Sequence, residues 1–154
     1  ESLYNTISNK LDKMILSTQL QGKITELAVA NEFLKLGYTV SQPLVDDRYD
    51  FIVDIKGEFK TIQVKTSHLG ENNEYFEFRT CNTHTNTKGT TQRNYKNDNI
   101  DYFATMYNNK CYIIPVNQCG VRSQRLRLQP TKNGQTKGIT FANDYELEKI
   151  FPND

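Results

Sequence analysis

The 154-residue chain has the length of a single domain and shows no repeat, low-complexity segment or internal domain boundary. Its hydrophobic content is 36% and its mean hydropathy is −0.69. No apolar run reaches the ~18–20 residues of a membrane span and no secretory leader pattern is visible, so no membrane partner is expected. Cys81, Cys111 and Cys119 form no CxxC pair, which is typical of reduced thiols in a cytoplasmic protein.

The net charge is only +1, but the charges are unevenly distributed. Residues 79–138 contain ten Lys and Arg against two Asp and Glu, so this segment alone carries a net charge of +8. Such an asymmetry indicates a polyanionic partner, most simply nucleic acid. The alternative is a basic surface that only improves solubility.

Two helices are predicted at the start of the chain. The first covers residues 2–16, and residues 1–17 would serve as an oligomerisation helix. The second covers residues 19–36, with Ser17 and Thr18 as capping residues and Gly37 at its end. Its apolar stripe is expected to face the core and comprises Leu20, Ile24, Leu27, Ala28, Ala30, Phe33 and Leu34. Glu26 lies near the edge of that stripe, where it is either an exposed charge or a functional carboxylate.

A β-hairpin is predicted over residues 47–65, after a short strand at 38–41. A two-residue turn at Lys56-Gly57 makes the numbers of paired residues sum to 113, which places Asp50 opposite Gln63. Lys65 lies two residues beyond Gln63 and therefore on the same face of the strand. A carboxylate, an amide and an ammonium thus gather on one face of an otherwise apolar hairpin.

The rest of the chain predicts more strands. Tyr75–Cys81 alternates apolar and polar residues, 102–107 and 111–116 form a second hairpin, and 125–128 forms a further strand. Residues 82–99 are almost entirely polar and are expected to form a long loop that contacts DNA. A last helix over 144–151 would be capped by Asn143. The predicted fold class is α/β (α+β), with a mixed central sheet flanked by helices.

The side chains of Glu26, Asp50, Gln63 and Lys65 would together suit phosphodiester hydrolysis assisted by Mg²⁺. Magnesium prefers carboxylate, amide and backbone oxygens as ligands. A neighbouring lysine could orient the attacking water, act on it as a base, or stabilise the charge that develops on the phosphate. The alternative is a cross-strand ion pair of Asp50 and Lys65 on an exposed sheet, which would contribute little to stability.

The order of these residues resembles the PD-(D/E)xK nuclease superfamily with its restriction-endonuclease-like core, and in particular its group I intron-encoded homing endonucleases. The motif is a helix with Glu26, Asp50 on the first hairpin strand, and Gln63-Val64-Lys65 on the second. The resemblance implies that Glu26, Asp50, Gln63 and the Val64 carbonyl bind Mg²⁺, with Mn²⁺ as a substitute, and that Lys65 is the catalytic lysine. Tyr49 replaces a proline of the motif, and Gln63 replaces an acid.

The resemblance implies a site-specific double-strand DNA endonuclease, and cutting both strands calls for a homo-oligomer, a dimer or a tetramer. A Holliday-junction-resolving or restriction-type nuclease is the first alternative, and a non-catalytic DNA-binding protein with a degenerate site is the second. The residues predicted to contact DNA are Lys88, Arg93, Tyr95, Lys96, Arg122, Arg125, Arg127, Lys132 and Lys137.

Overall fold

The computed structural model describes residues 17–45, 47–94 and 100–153, and the side chains of these except for 82–86 and 90–94. The predicted helix over 2–16 lies outside the described residues. In chain order the helices and strands are α1 (Thr18–Lys35), β1 (Thr39–Ser41), β2 (Phe51–Ile55), β3 (Glu58–Val64), β4 (His68–Leu69), β5 (Tyr75–Arg79), β6 (Cys81–Asn86), β7 (Gly89–Asn94), β8 (Tyr102–Tyr107), β9 (Lys110–Pro115), β10 (Ser123–Arg127) and α2 (Leu147–Ile150). None of the described helices is both long enough and apolar enough to span a membrane.

The central sheet has five strands in the order β1-β2-β3-β8-β9. Strands β3 and β8 run parallel, and the other neighbours run antiparallel. A three-stranded sheet has the order β10-β5-β4, and β6 and β7 pair as a two-stranded ribbon. The prediction of a mixed central sheet flanked by helices is therefore confirmed.

The two faces of the central sheet cover two separate apolar cores. The alternation of side chains along β8 sends Phe103 to one face and Ala104 to the other. On the Ala104 side the sheet packs against α1 through Val29 and Phe33. On the Phe103 side it packs against the three-stranded sheet through Phe76 and Phe78. The domain is thus a helix, a sheet and a second sheet in three layers.

Helix α1 begins and ends where the sequence predicts. The Ser17 hydroxyl accepts a hydrogen bond from the Leu20 backbone N–H across 3.2 Å, as an N-cap does. Gly37 follows the last turn with φ +84°, a conformation that favours glycine. The predicted helix is therefore correct in its limits.

The buried face of α1, in contrast, was predicted wrongly. Thr25, Val29 and Phe33 are buried, and they follow one another at four-residue spacing. Thr25 can be buried because its hydroxyl donates to the Gln21 carbonyl oxygen within the helix (3.0 Å). Of the predicted stripe only Phe33 is buried, and four of its residues are 44–58% exposed: Leu20, Ile24, Leu27 and Leu34.

Residues 81–94 form a hairpin rather than the predicted loop. Six residue pairs join β6 and β7, from Cys81 with Asn94 to Asn86 with Gly89. The segment lacks the apolar alternation by which strands are usually detected, but it contains many threonines, which favour extended backbone. The prediction of a loop is wrong for residues 82–94, and residues 95–99 lie outside the described part of the chain.

The C-terminal helix is shorter than predicted. A 3₁₀ turn covers Ala142–Tyr145, and α2 covers only Leu147–Ile150. Asn143 does not cap this helix. Its carbonyl and side-chain oxygens instead accept hydrogen bonds from Lys149 Nζ, both at 2.6 Å.

Candidate active site

The β2–β3 hairpin sets the positions of three of the predicted site residues. Lys56 and Gly57 both have positive φ, 53° and 90°, as a two-residue hairpin turn of this kind requires. The ladder pairs Phe51 with Ile62, and the Asp50 backbone N–H donates to the Ile62 carbonyl oxygen at 2.9 Å. Asp50 therefore lies beside Gln63, and the predicted register is confirmed.

The Asp50 carboxylate is held by two hydrogen bonds to one of its oxygens. The Val64 backbone N–H donates to Oδ2 across 2.6 Å, and Gln63 Nε2 donates to the same oxygen across 2.9 Å. Gln63 Nε2 also lies 3.5 Å from the Val64 carbonyl oxygen. The amide of Gln63 thus contacts two of the predicted metal ligands.

Both charged groups of the hairpin have shifted pKa values. Burial raises the pKa of Asp50 from 3.8 to about 6, the Val64 N–H opposes this, and the charge of Glu26 raises it further. Burial lowers the pKa of Lys65 from 10.5 to about 8, against the attraction of Asp50. Lys65 extends over the Phe103 ring, with Nζ 6.0 Å from the ring centre. Neighbouring titratable groups with pKa values shifted by burial are typical of functional sites.

Helix α1 brings Glu26 to the same site. Glu26 and Asp50 line one polar cavity of about 160 Å³, together with Lys23 and Tyr49. The side chain of Glu26 is 19% exposed and forms an ion pair with Lys23 one turn earlier. Glu26 is therefore neither buried nor a fully exposed edge charge, but a carboxylate at the rim of a cavity.

Thr25 holds the helix near the end of β3. Its hydroxyl lies 3.5 Å from the hydroxyl of Thr66, the residue after Lys65. In addition, the Lys65 backbone N–H donates to the Ala104 carbonyl oxygen of β8 at 2.9 Å. The first contact joins α1 to the segment after β3, and the second joins that segment to β8.

Comparison with known proteins agrees with this geometry. The family model for PD-(D/E)XK endonucleases matches residues 16–148, a range that includes all four predicted catalytic residues. The chain belongs to the PD-(D/E)XK endonuclease family. It is similar to the solved structure of a bacterial homing endonuclease, I-Ssp6803I, with 27% identity, a TM-score of 0.67, and coverage of 85% of this chain and 89% of that chain. No curated protein matches the chain.

The site differs from a typical PD-(D/E)XK site in its number of acids. Among the described residues no three His, Cys, Asp or Glu side chains come together in a way that could hold a metal ion. The carboxylates that line the cavity are Glu26, Asp50 and the exposed Asp47, and the amide of Gln63 and the backbone of Val64 lie beside Asp50. These are oxygen donors that suit a hard divalent cation, so the residues fit the metal that the family implies.

The predicted DNA-contacting residues do not all lie together. Lys88 is exposed in the turn between β6 and β7, Arg93 lies on β7, and Tyr95 and Lys96 lie outside the described residues. Lys132 and Lys137 are exposed in the segment before Gly138. No described contact joins this segment to the active site.

Strand β10 places two of the predicted arginines on one sheet face. Arg125 bonds to Glu77 at 3.0 Å and lies over the Tyr75 ring, 4.6 Å from its centre. Arg127 bonds to Glu74 at 3.2 Å. Both are therefore already paired within the domain.

The β6–β7 ribbon begins near Lys65, the predicted catalytic lysine. The first residue of β6, Cys81, contributes to the pKa of Lys65, and its thiol bonds to the Arg122 carbonyl oxygen at 3.6 Å. The Thr80 backbone N–H donates to the same carbonyl at 3.0 Å. These two bonds join the ribbon to the segment with Arg122 at the edge of the site. The ribbon itself carries Lys88 and Arg93.

Three residues of this region, Lys23, Thr25 and Tyr75, are not among the predicted site residues. The spacing of Lys23 and Glu26 does predict a helical ion pair, but only the fold shows that this pair lies in the active-site cavity. Tyr75 alternates with buried Phe76 and Phe78, so its outward position could be read from the sequence. Its stacking against Arg125 depends on the pairing of β5 with β10.

Proposed function

We propose that this PD-(D/E)XK protein is a Mg²⁺-dependent, site-specific double-strand DNA endonuclease of the homing type. The observation that carries the proposal is the convergence of Glu26, Asp50, Gln63, Val64 and Lys65, in the order of the family motif, at the end of β3. The similarity to a bacterial homing endonuclease supports the homing type. The products would be a 5′-phosphate and a 3′-hydroxyl.

Glu26, Asp50, Gln63 and the Val64 carbonyl would hold the divalent cation. When bound, Mg²⁺ or Mn²⁺ supplies Lewis-acid polarisation of the phosphate and activation of water. Asp50 must be ionised to act as a ligand, which its pKa of about 6 allows at neutral pH. Lys65, with a pKa of about 8, carries its proton in most molecules at pH 7 and can donate it in a hydrogen bond to the phosphate.

The β6–β7 ribbon and the neighbouring Arg122 are the surface that would contact DNA near the scissile bond. The ribbon starts beside Lys65, and Lys88 at its turn is exposed. A two-stranded β-ribbon fits the major groove of B-form DNA. Lys132 and Lys137 would contact phosphates farther along the duplex, and Arg125 and Arg127 would do so by exchanging Glu77 and Glu74 for phosphates.

A homo-oligomer would place two active sites on the two DNA strands. Exposed apolar residues on α1 support this part of the proposal: Leu20, Ile24, Leu27 and Leu34 recur at helical spacing along one line of the helix. The predicted helix over residues 2–16 would contribute to the same interface.

The three cysteines are buried and form no disulfide. Reduced thiols of this kind are consistent with a cytoplasmic protein.

The decisive experiment is cleavage of plasmid DNA with Mg²⁺ by the native protein and by Asp50→Ala and Lys65→Ala. We expect linear product from the native protein and none from the variants. Full activity in both variants would refute the assignment of the site. Four-way junctions compared with linear duplex separate the homing or restriction-type enzyme from a junction resolvase.

The replacement of an acid by Gln63 favours one alternative, a DNA-binding protein that no longer cuts. In that case the native protein would bind duplex DNA sequence-specifically but leave every substrate intact with either Mg²⁺ or Mn²⁺. Selection of cut or bound sites from a randomised duplex identifies the target in either case.

A further inference from the structure

Lys23 lies in the active-site cavity without belonging to the family motif. Its ammonium forms an ion pair with Glu26 on the same helix face. Lys23 also lines the cavity that contains Asp50, and its charge favours the ionised form of Asp50. The site therefore contains two lysines, Lys65 directly after β3 and Lys23 from α1.

The charges of these groups almost cancel. Glu26 and Asp50 supply two negative charges, Gln63 supplies none, and Lys23 and Lys65 supply two positive charges. Asp47 also lines the cavity and adds a third negative charge, so these groups together carry a formal charge of −1 while Lys23 stays in place, and a divalent cation would meet more negative charge once Lys23 leaves. Because an ammonium only donates hydrogen bonds, Lys23 and the metal would compete for Oε2 of Glu26, the oxygen that the ammonium contacts.

The ion pair between Lys23 and Glu26 can be broken at little cost. Its side chain is 58% exposed, and lysine has a flexible four-carbon stem. Ion pairs between exposed residues three apart on a helix are weak. Displacing Lys23 from Glu26 therefore costs little, and its ammonium stays beside the cavity that it lines, where the proposed function puts the DNA phosphate.

We propose that Lys23 is a counter-ion that binds Glu26 in the metal-free protein. When a divalent cation replaces it at Glu26, the Lys23 side chain moves and its ammonium binds a DNA phosphate. Lys23 would supply positive charge beside Glu26 and Asp50 as long as no metal is bound. It keeps the two carboxylates together without metal and becomes a phosphate contact in the loaded complex. The inference rests on the proposed function, since it assumes that Glu26 is a metal ligand.

The first test is calorimetric titration of Mn²⁺ into the DNA-free protein at pH 7.5. Lys23→Gln is expected to bind Mn²⁺ about five-fold more tightly than the native protein, an effect of the size expected for one exposed ion pair. Lys35→Gln is the matched control, because Lys35 bonds to Glu32 on the same helix with the same three-residue separation, at 2.8 Å. Its Mn²⁺ affinity should stay unchanged.

The second test is the salt dependence of binding to a 40-base-pair duplex in the presence of Ca²⁺. Lys23→Gln should reduce the slope of log affinity against log salt by about one contact, Lys35→Gln should not, and Lys23→Arg should restore it. Unchanged or weaker Mn²⁺ binding by Lys23→Gln would overturn the counter-ion role, and an unchanged salt slope would overturn the phosphate contact.

Asp50→Asn separates a failure of this inference from a failure of the proposed function. If the native protein binds Mn²⁺ and Asp50→Asn does not, the metal site stands, whatever Lys23→Gln shows. If the native protein does not bind Mn²⁺ at all, both the metal site and the role of Lys23 are wrong.

Discussion

The side-chain amide of Gln63 donates a hydrogen bond to Oδ2 of Asp50 across 2.9 Å. A carboxylate at position 63 could not donate that bond and would repel Asp50 instead. The neutral amide therefore stabilises the ionised form of Asp50 while reducing the negative charge that the site offers to a metal. Several properties of the site follow from this pair.

Asp50→Asn is expected to abolish cleavage and to stabilise the protein. Burial of the ionised Asp50 costs stability, at most about 3 kcal/mol from the shift of its pKa, and asparagine removes that charge. Because the folded-state pKa is raised, the gain is complete above pH 6 and shrinks as the pH falls from 6 towards 4. Thermal unfolding without metal, at pH 4.5 and pH 7.5, measures it. Asp144→Asn, an exposed carboxylate outside the site, is the control and should show no such difference.

Gln63→Glu is expected to strengthen metal binding and to lower the stability of the metal-free protein. The added carboxylate supplies an anionic ligand, so Mn²⁺ affinity should rise by about ten-fold. Without metal, the lost hydrogen bond and the repulsion of Asp50 should lower the melting temperature. Calorimetry and thermal unfolding with and without Mn²⁺ measure both effects. An unchanged affinity would mean that residue 63 does not contact the metal.

Lys65→Met is expected to separate catalysis from metal binding. Cleavage should fall by about a hundred-fold or more, while Mn²⁺ affinity should be equal or slightly higher because a positive charge is removed. The depressed pKa of Lys65 means that its burial destabilises the native protein below pH 8, and this effect disappears towards pH 10.5. The stability gained by Lys65→Met should therefore be largest below pH 8 and should vanish towards pH 10.5. Loss of Mn²⁺ binding in this variant would contradict the catalytic role assigned to Lys65.

Metal binding by the native protein should weaken in acid. Protons compete with the metal for Asp50, so apparent Mn²⁺ affinity should fall about ten-fold per pH unit below pH 6. The affinity of Asp50→Asn, if any remains, should lack this dependence. Calorimetric titrations between pH 5 and pH 8 give the profile, and a flat profile would show that Asp50 is not a ligand.

Leu27→Asp is expected to disrupt the proposed oligomer. Leu27 is 58% exposed on the apolar line of α1, and a charge there would be buried at great cost in an interface. Light scattering after size exclusion should show a smaller species, and plasmid cleavage should stop at the nicked form. Leu44→Asp, also an exposed leucine but outside the helix, should leave the assembly intact.

The local features of the site were predictable because they depend on neighbours in the sequence. A Lys-Gly turn requires two residues with positive φ, and this turn alone sets the register that brings Asp50 to Gln63. The limits of α1 follow from the side-chain cap of Ser17 and from Gly37. The order of Glu26, Asp50, Gln63 and Lys65 was enough to indicate the family.

The tertiary structure alone decided the remaining features, since they depend on contacts between distant segments. The face of α1 that is buried is chosen by the sheet beneath it, so Val29 is buried while Leu20, Ile24, Leu27 and Leu34 remain exposed. Residues 82–94 pair as a ribbon although their polarity resembles that of a loop, because backbone hydrogen bonds need no apolar side chains. Lys23 acquires its place in the site only when α1 packs beside β3. Burial in the folded protein shifts the pKa values of Asp50 and Lys65, and no residue pattern in the sequence carries that information.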